Sequence, residues 1–290
     1  MISKVLLSIL TICTATAFSQ ESKQDKADKK PTVYLVGSIH NMHFNPNNHY
    51  SINDLLAQIS ALKPDVVCGE ITPESFNQPM EGYFPPEAAC LAEMASELKY
   101  RFVPVDWRLD YATQSIADKE YPSSVKEKSD PLLNKVQLIL KEPSPSLYDK
   151  IHSKETLSIL DSLYENIIGV NALAEIACGS WHERNRRAVE NGLKAAPNAQ
   201  TIVFVFGVDH LPQLQRQLKA AGIDAQVAPR MFTPSLNQKL PKTVLERWKR
   251  NRDNLISIRD KKMEVPYDSY LKVIDSRRIE NLEEAIQKSL

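Results

Sequence analysis

Between residues 32 and 70 two strand-like runs bracket one amphipathic helix, and this arrangement limits the fold more than any other feature of the chain. The first run, TVYLVGSI, spans Thr32 to Ile39. Ser51-Ile52-Asn53 then opens a helix whose apolar positions Ile52, Leu55, Leu56, Ile59 and Leu62 recur at the i, i+3, i+4, i+7 spacing of one buried face. Pro64 stops it, and Asp65-Val66-Val67-Cys68-Gly69-Glu70 is a second short strand. Strand, helix, strand at this spacing is a β-α-β unit, which predicts two neighbouring parallel strands joined by a right-handed crossover.

The alternation continues. Pro85-Pro86-Glu87 starts a helix with proline well placed in its first turn, and Ala88, Leu91, Ala92, Ala95 and Leu98 line its inner face. Arg101 to Asp106 is a third strand, in which Pro104 removes a ladder donor and points to an edge or a bulge. Residues 110–180 read differently: Pro122, Pro131, Pro143 and Pro145 punctuate a charged region with helical stretches near 131–141 and 155–177, a helical insertion over one face of the sheet. Alternation resumes with a helix over 181–195, a strand from Thr201 to Phe206, a helix over 211–221 ended by Gly222, and a last strand from Asp224 to Val227. The tail from about 236 to 290 is helical, with Val244, Trp248 and Leu255 on an apolar face. The expected fold is α/β: a mixed, mostly parallel central sheet flanked by helices over 32–235, with a helical insertion and a helical C-terminal extension.

The first residues read as a processing segment. Met1-Ile2-Ser3-Lys4 is a short basic start, Val5 to Ala17 an apolar stretch too short to span a bilayer, and the polar run QESKQDKADKK follows. This predicts a signal peptide over 1–19 cleaved near Ser19, a disordered linker over 20–31, and an exported mature chain, periplasmic or secreted. Cys13 lies inside the segment, but the bulky Ile12 before it argues against lipoprotein processing. Lysine plus arginine equals aspartate plus glutamate, 36 each, which gives no reason to expect a nucleic-acid partner. Cys68, Cys90 and Cys178 remain after processing, an odd number, so at least one is unpaired within the chain. Burial is the default expectation for all of them, with a Cys68–Cys90 disulfide as the alternative.

Chemistry gathers where the strands end. The first strand leads into Gly37-Ser38-Ile39-His40, the second into Glu70, the third into Asp106, and the later strand into Gly207-Val208-Asp209-His210. In a parallel sheet these C-terminal ends share one edge, where open α/β folds place their ligands. Glycine at the exit of a strand allows unusual backbone angles or a close approach. Two histidines with a carboxylate suit a divalent metal, zinc, manganese or cobalt, with His40, Glu70 and His210 as ligands and Asp106 or His43 as additions. Without a metal the same groups suit general acid–base catalysis.

Each residue has a plainer reading. A strand-end histidine is commonly bonded to backbone, Glu70 could be a cap or a surface acid, Asp106 could simply pair with an arginine, and His43 could sit in a solvated loop. His49 and His152 have no supporting context. The run Trp181-His182-Glu183-Arg184-Asn185 is either a solvated first helical turn or a means of presenting Arg184 and Asn185 to a substrate oxygen. Because position 186 is arginine, His182-Glu183 is not the start of a zincin helix.

GSIH at 37–40 and GVDH at 207–210, taken with VVCGE at 66–70 and ERN at 183–185, resemble the TraB/GumN/Tiki superfamily, itself distantly related to erythromycin-esterase-like and ChaN-like proteins. The resemblance covers roughly 32–109 and 180–228 and runs closest from Glu183 through FVFGVDHLPQLQRQLKAAGI; the insertion and tail lie outside it. FPPE at 84–87 and VDWR at 105–108 depart from the family pattern. The resemblance implies one site holding His40, Glu70, Arg184, Asn185 and His210, with Asp106 only loosely matched. It implies an exported hydrolase, a metal-dependent peptidase or amidase acting on a peptide or small molecule. The alternatives it leaves are a metal-independent, histidine-dependent esterase-like hydrolase, or a non-catalytic binder of peptide or haem.

Overall fold

The computed structural model describes residues 30–264 and 276–290. The expected signal peptide and most of the expected linker lie outside the described residues. The backbone forms a parallel sheet of 5 strands in the order β3-β2-β4-β1-β5: β1 (Thr32–Ser38), β2 (Val66–Gly69), β3 (Arg101–Pro104), β4 (Thr201–Gly207) and β5 (Gln226–Val227). The α/β reading holds, and every pairing is parallel. Pro104 ends β3, which is an edge strand as its missing donor requires.

One expectation is corrected. β1 and β2 are not neighbours, because β4 is inserted between them. The strand sequences give the reason: Ile202, Val203, Phe204, Val205 and Phe206 are buried on both faces of the sheet, so β4 belongs in the middle. The register follows, with Thr32 opposite Thr201 through Ser38 opposite Gly207, and Gly69 opposite Val205. The two glycine-x-x-histidine turns therefore leave adjacent strands one residue out of step, Gly37 opposite Phe206 and Ser38 opposite Gly207.

Helices cover both faces, and alternate strand residues sort between them. Val33, Leu35, Cys68, Ile202, Phe204 and Phe206 point to a core closed by α8 (Trp181–Ala195) and α9 (Leu211–Ala220) through Ala188, Val189, Leu214 and Leu218. Val36, Val67, Val203 and Val205 point to a larger core, closed by α1 (Ile52–Leu62), α2 (Pro86–Met94) and the tail helices α10 (Lys242–Arg259) and α11 (Ser276–Lys288). Helix α1 begins with a capping box: the Ser51 side chain accepts from Asp54 N–H, while Asp54 accepts from Ser51 N–H. The expected tail face is real, since Val244, Trp248 and Leu255 are fully buried, with the Trp248 indole donating to Pro86 O. Helix α2 stops at Met94, short of the expected Leu98.

The insertion is helical: α3 (Tyr111–Lys119), α4 (Ser123–Lys141), α5 (Leu147–Ile151), α6 (Lys154–Ser162) and α7 (Ala172–Ala177). The single helix expected over 155–177 is broken by a π turn at Leu163–Ile168 followed by Gly169, where an added Cβ would lie 2.3 Å from the His182 ring. Cys68, Cys90 and Cys178 are free thiols, the first two fully buried, so the alternative Cys68–Cys90 disulfide does not form. Among the described residues no helix is long and apolar enough to cross a membrane.

Candidate functional site

The register sets the site. His40 and His210 flank Glu70 as a pair, with His40 Nε2 at 3.8 Å from Glu70 Oε2 and His210 Nε2 at 3.8 Å from Glu70 Oε1. All three line a pocket of about 210 Å³, together with Pro85, Arg108, Trp181, Arg184, Gly207, Asp209 and Arg278. Gly207 is required by proximity: a Cβ there would lie 2.7 Å from His40 Nε2. Its N–H, bare of side chain around it, donates to Glu70 Oε2 at 2.7 Å.

His40 departs from β1 in a left-handed conformation, φ 50°, which costs a non-glycine residue about 1–2 kcal/mol. The turn aims its Nδ1 at Glu87 Oε1, 2.6 Å away. Ser38 supports this pair, its hydroxyl donating to Glu87 Oε1 and accepting from His40 N–H at 3.1 Å. Burial lowers the His40 pKa, but the Glu87 and Glu70 carboxylates outweigh it and raise it to about 9. His40 is therefore an imidazolium at neutral pH. Burial likewise pushes the Glu87 carboxyl up, and His40 beside it overrides this and brings it below the usual range.

His210 is held by an amide. The Asn185 side-chain NH₂ donates to Trp181 O at 2.7 Å, which leaves Asn185 Oδ1 to accept from His210 Nδ1–H at 2.8 Å. The tautomer is thereby set, and the lone pair of Nε2 faces Glu70 and the pocket. The ring lies stacked on Trp181, centroids 4.1 Å apart, and Trp181 stacks in turn on Tyr164 at 4.1 Å. Burial, with the Arg184 charge added, lowers the His210 pKa well below the ordinary value. An amide oxygen offers no compensating charge.

Behind the histidines lies an ionic lattice. Arg184 reaches Glu70 Oε1 at 2.7 Å and grips Asp106 with Nε at 2.8 Å and Nη2 at 3.0 Å. Arg108 completes it, 2.9 Å from Asp106 Oδ2 and 3.5 Å from Glu70 Oε1. Burial raises the Glu70 carboxyl, and the charged His40 with Arg184 and Arg108 reverses this and holds it far below the usual carboxylate range. Arg184 and Asn185, expected to position substrate, are buried and engaged with Glu70, Asp106 and His210, and Arg184 also lines the pocket. Asp106, the loosely matched candidate, is buried at the foot of the lattice.

These contacts bear on the expected metal ion. Carboxylate and amide partners on the far histidine nitrogens resemble the outer shell of a metal site. Yet Glu70 already accepts from a guanidinium and a backbone N–H, a second guanidinium stands 3.5 Å away, and His40 carries charge itself. A dication at that carboxylate would face both guanidiniums, which argues against a resident divalent metal with the side chains as they stand.

His43 lies outside the pocket and fully buried: its Nδ1–H donates to Tyr50 O at 2.8 Å and its Nε2 accepts from Ile39 N–H at 3.3 Å. Its Nε2 also lies 3.1 Å from the Ser38 hydroxyl, so His43 supports the Ser38–Glu87–His40 group from behind rather than adding a ligand in the pocket. His152, unsupported by its sequence context, also has structural work, accepting from Gly37 N–H at 2.7 Å and so tying the insertion to β1. Sequence reasoning missed Glu87, Arg108 and Arg278. The first two lie in FPPE and VDWR, the stretches that depart from the family pattern, and that departure was the available signal. A larger cavity of about 640 Å³ between α6 and α9 is lined by His152, Lys154, Asp161, Arg216 and Lys219 among others, and by none of the predicted site residues. Comparisons with protein-family models, with curated proteins and with solved structures find no match to this chain.

Proposed function

We propose that the protein is an exported hydrolase of a small carbonyl substrate, an ester or amide, worked by its two histidines without a resident metal ion. The observation that carries this reading is that two imidazoles face one carboxylate and one pocket, while their far nitrogens are held by opposite chemistry. Glu87 favours the charged form of His40, and Asn185 favours the neutral form of His210. His210 Nε2 takes a proton from water as the water attacks the carbonyl carbon. His40 donates through Nε2–H to the developing oxyanion and then protonates the leaving group. Glu87 and Asn185, bonded to the far nitrogens, keep the two rings turned inward.

Purified mature protein should cleave members of a panel of 4-nitrophenyl esters and N-acyl peptides in the presence of a chelator, and His40→Ala or His210→Ala should abolish the cleavage. Near-stoichiometric metal that is lost in both variants, with activity lost in chelator, would overturn this reading in favour of a metal-dependent peptidase. Absence of turnover across the panel, with a Soret band on adding haem or saturable peptide binding, would overturn it in favour of a non-catalytic binder.

A further inference from the structure

Helix α11 belongs to the tail, outside every motif that suggested a function, yet it delivers Arg278 to the pocket of His40 and His210. Its docking is secure. Ile279, Leu282, Ala285 and Ile286 are buried in the larger core, and Asn41, next to His40, donates from its side chain to Asn281 O at 3.1 Å. At Gly82 an added Cβ would lie 3.0 Å from Leu282, so the helix sits close upon the turn before α2.

Arg278 differs from the other cations of the pocket. Arg184 and Arg108 share Glu70 and Asp106, and His40 is matched to Glu87. Arg278 lies over the Tyr83 ring, its guanidinium carbon 5.0 Å from the centroid, and among the described residues no carboxylate is paired with it. The ring supports the flat guanidinium without using its hydrogen-bond donors, which leaves the fork free for a planar two-oxygen anion. Asp209, the remaining acid of the pocket lining, accepts from Tyr164 O–H at 3.4 Å, on the side of the insertion.

We propose that Arg278 is the specificity-determining residue of this site and binds a carboxylate carried by the substrate next to its scissile carbonyl. Arg278 lines the same pocket of about 210 Å³ as His40 and His210, which places the carboxylate close to the reacting bond. The inference rests on the hydrolase reading for the identity of the reaction, and on the geometry of α11 alone for the charge of the ligand.

Two pairs of substrates separate the sources of that carboxylate. 4-Nitrophenyl hydrogen succinate against its methyl ester places the charge on the acyl side, and N-acetyl-Ala-Ala against its C-terminal amide places it on the leaving side. The wild type should prefer the charged member of one pair by about tenfold in kcat/KM, the value of one charge-assisted contact. Arg278→Gln should remove most of that preference, Arg278→Lys should keep part of it, and Arg278→Glu should reverse it, with thermal melts confirming that each variant folds. A preference unchanged in Arg278→Gln, or absent from the wild type, overturns the inference and leaves the hydrolase reading standing. If no substrate is cleaved, calorimetric binding of N-acetylalanine against N-acetylalaninamide decides: an Arg278-dependent preference for the acid sustains the inference while the hydrolase reading fails, and equal binding overturns it.

Discussion

His40 and His210 leave adjacent strands through the same glycine-x-x-histidine sequence, one in a left-handed and the other in a right-handed conformation, and the protein then surrounds them with opposite chemistry. The His40 side chain is 42% exposed and backed by a carboxylate; that of His210 is 6% exposed and backed by an amide. One is charged and reachable, the other neutral and enclosed between Trp181 and Phe206. The difference shows that a repeated motif supplies position only. Function at each copy comes from whatever helix reaches its far nitrogen, α2 with Glu87 for one and α8 with Asn185 for the other.

The strongest way to break the comparison is to remove either ring. His210→Ala and His40→Ala should each lower kcat about 10²–10⁴-fold, as loss of a positioned acid or base does, measured on the best ester of the panel. A loss confined to KM in either variant would strip that histidine of its proposed role. Next in size is the lattice both rings share. Arg184→Ala leaves Glu70 and Asp106 buried with one partner fewer and should cost about 3–5 kcal/mol in urea unfolding. Arg108→Ala, at a more exposed residue, should cost visibly less; equal costs would mean the lattice is not organised around Arg184.

A subtler test makes the two wings alike. Glu87→Gln should bring the His40 pKa down from about 9, and Asn185→Asp should raise that of His210, both read by NMR titration of the imidazole ring protons. The alkaline limb of the kcat/KM profile, near pH 9 in the wild type, should move to lower pH in Glu87→Gln. A limb that stays in place would detach it from His40. The smallest expected effect is on stability. A raised pKa in the folded state means that the contribution of the His40–Glu87 pair is complete below about pH 6.5 and is lost as pH rises through about 9. Buried His43 has the opposite sign: its pKa, lowered by burial to about 4, makes stability fall as pH drops from about 6.5 towards 4. Chemical-denaturation midpoints across pH 4–10, with Glu87→Gln and His43→Gln beside the wild type, would separate the two.

Much of the fold was legible, because hydrophobic periodicity reports burial directly: α8 runs over Trp181–Ala195 as its spacing predicts, and Pro104 marks an edge strand. Strand order was not legible, since alternation of strand and helix is equally compatible with β2 beside β1 or one strand away. In the site, His40, Glu70 and His210 could be named from strand ends, and Arg184 and Asn185 from the helix start, but not their contacts with Glu70, Asp106 and His210. A guanidinium one helical turn from a sheet edge suits a substrate or a buried acid equally well, and only the position of Asp106 decides between them.

The sequence by itself determined that the two histidines and Glu70 share an edge, because parallel strands linked by right-handed crossovers must end on the same side. Only the tertiary structure decided their charges, their accessibility and the reach of Arg278 into the pocket. Those depend on through-space neighbours from α2, α8 and α11, and electrostatic interaction follows distance and burial, which separation along the chain does not encode.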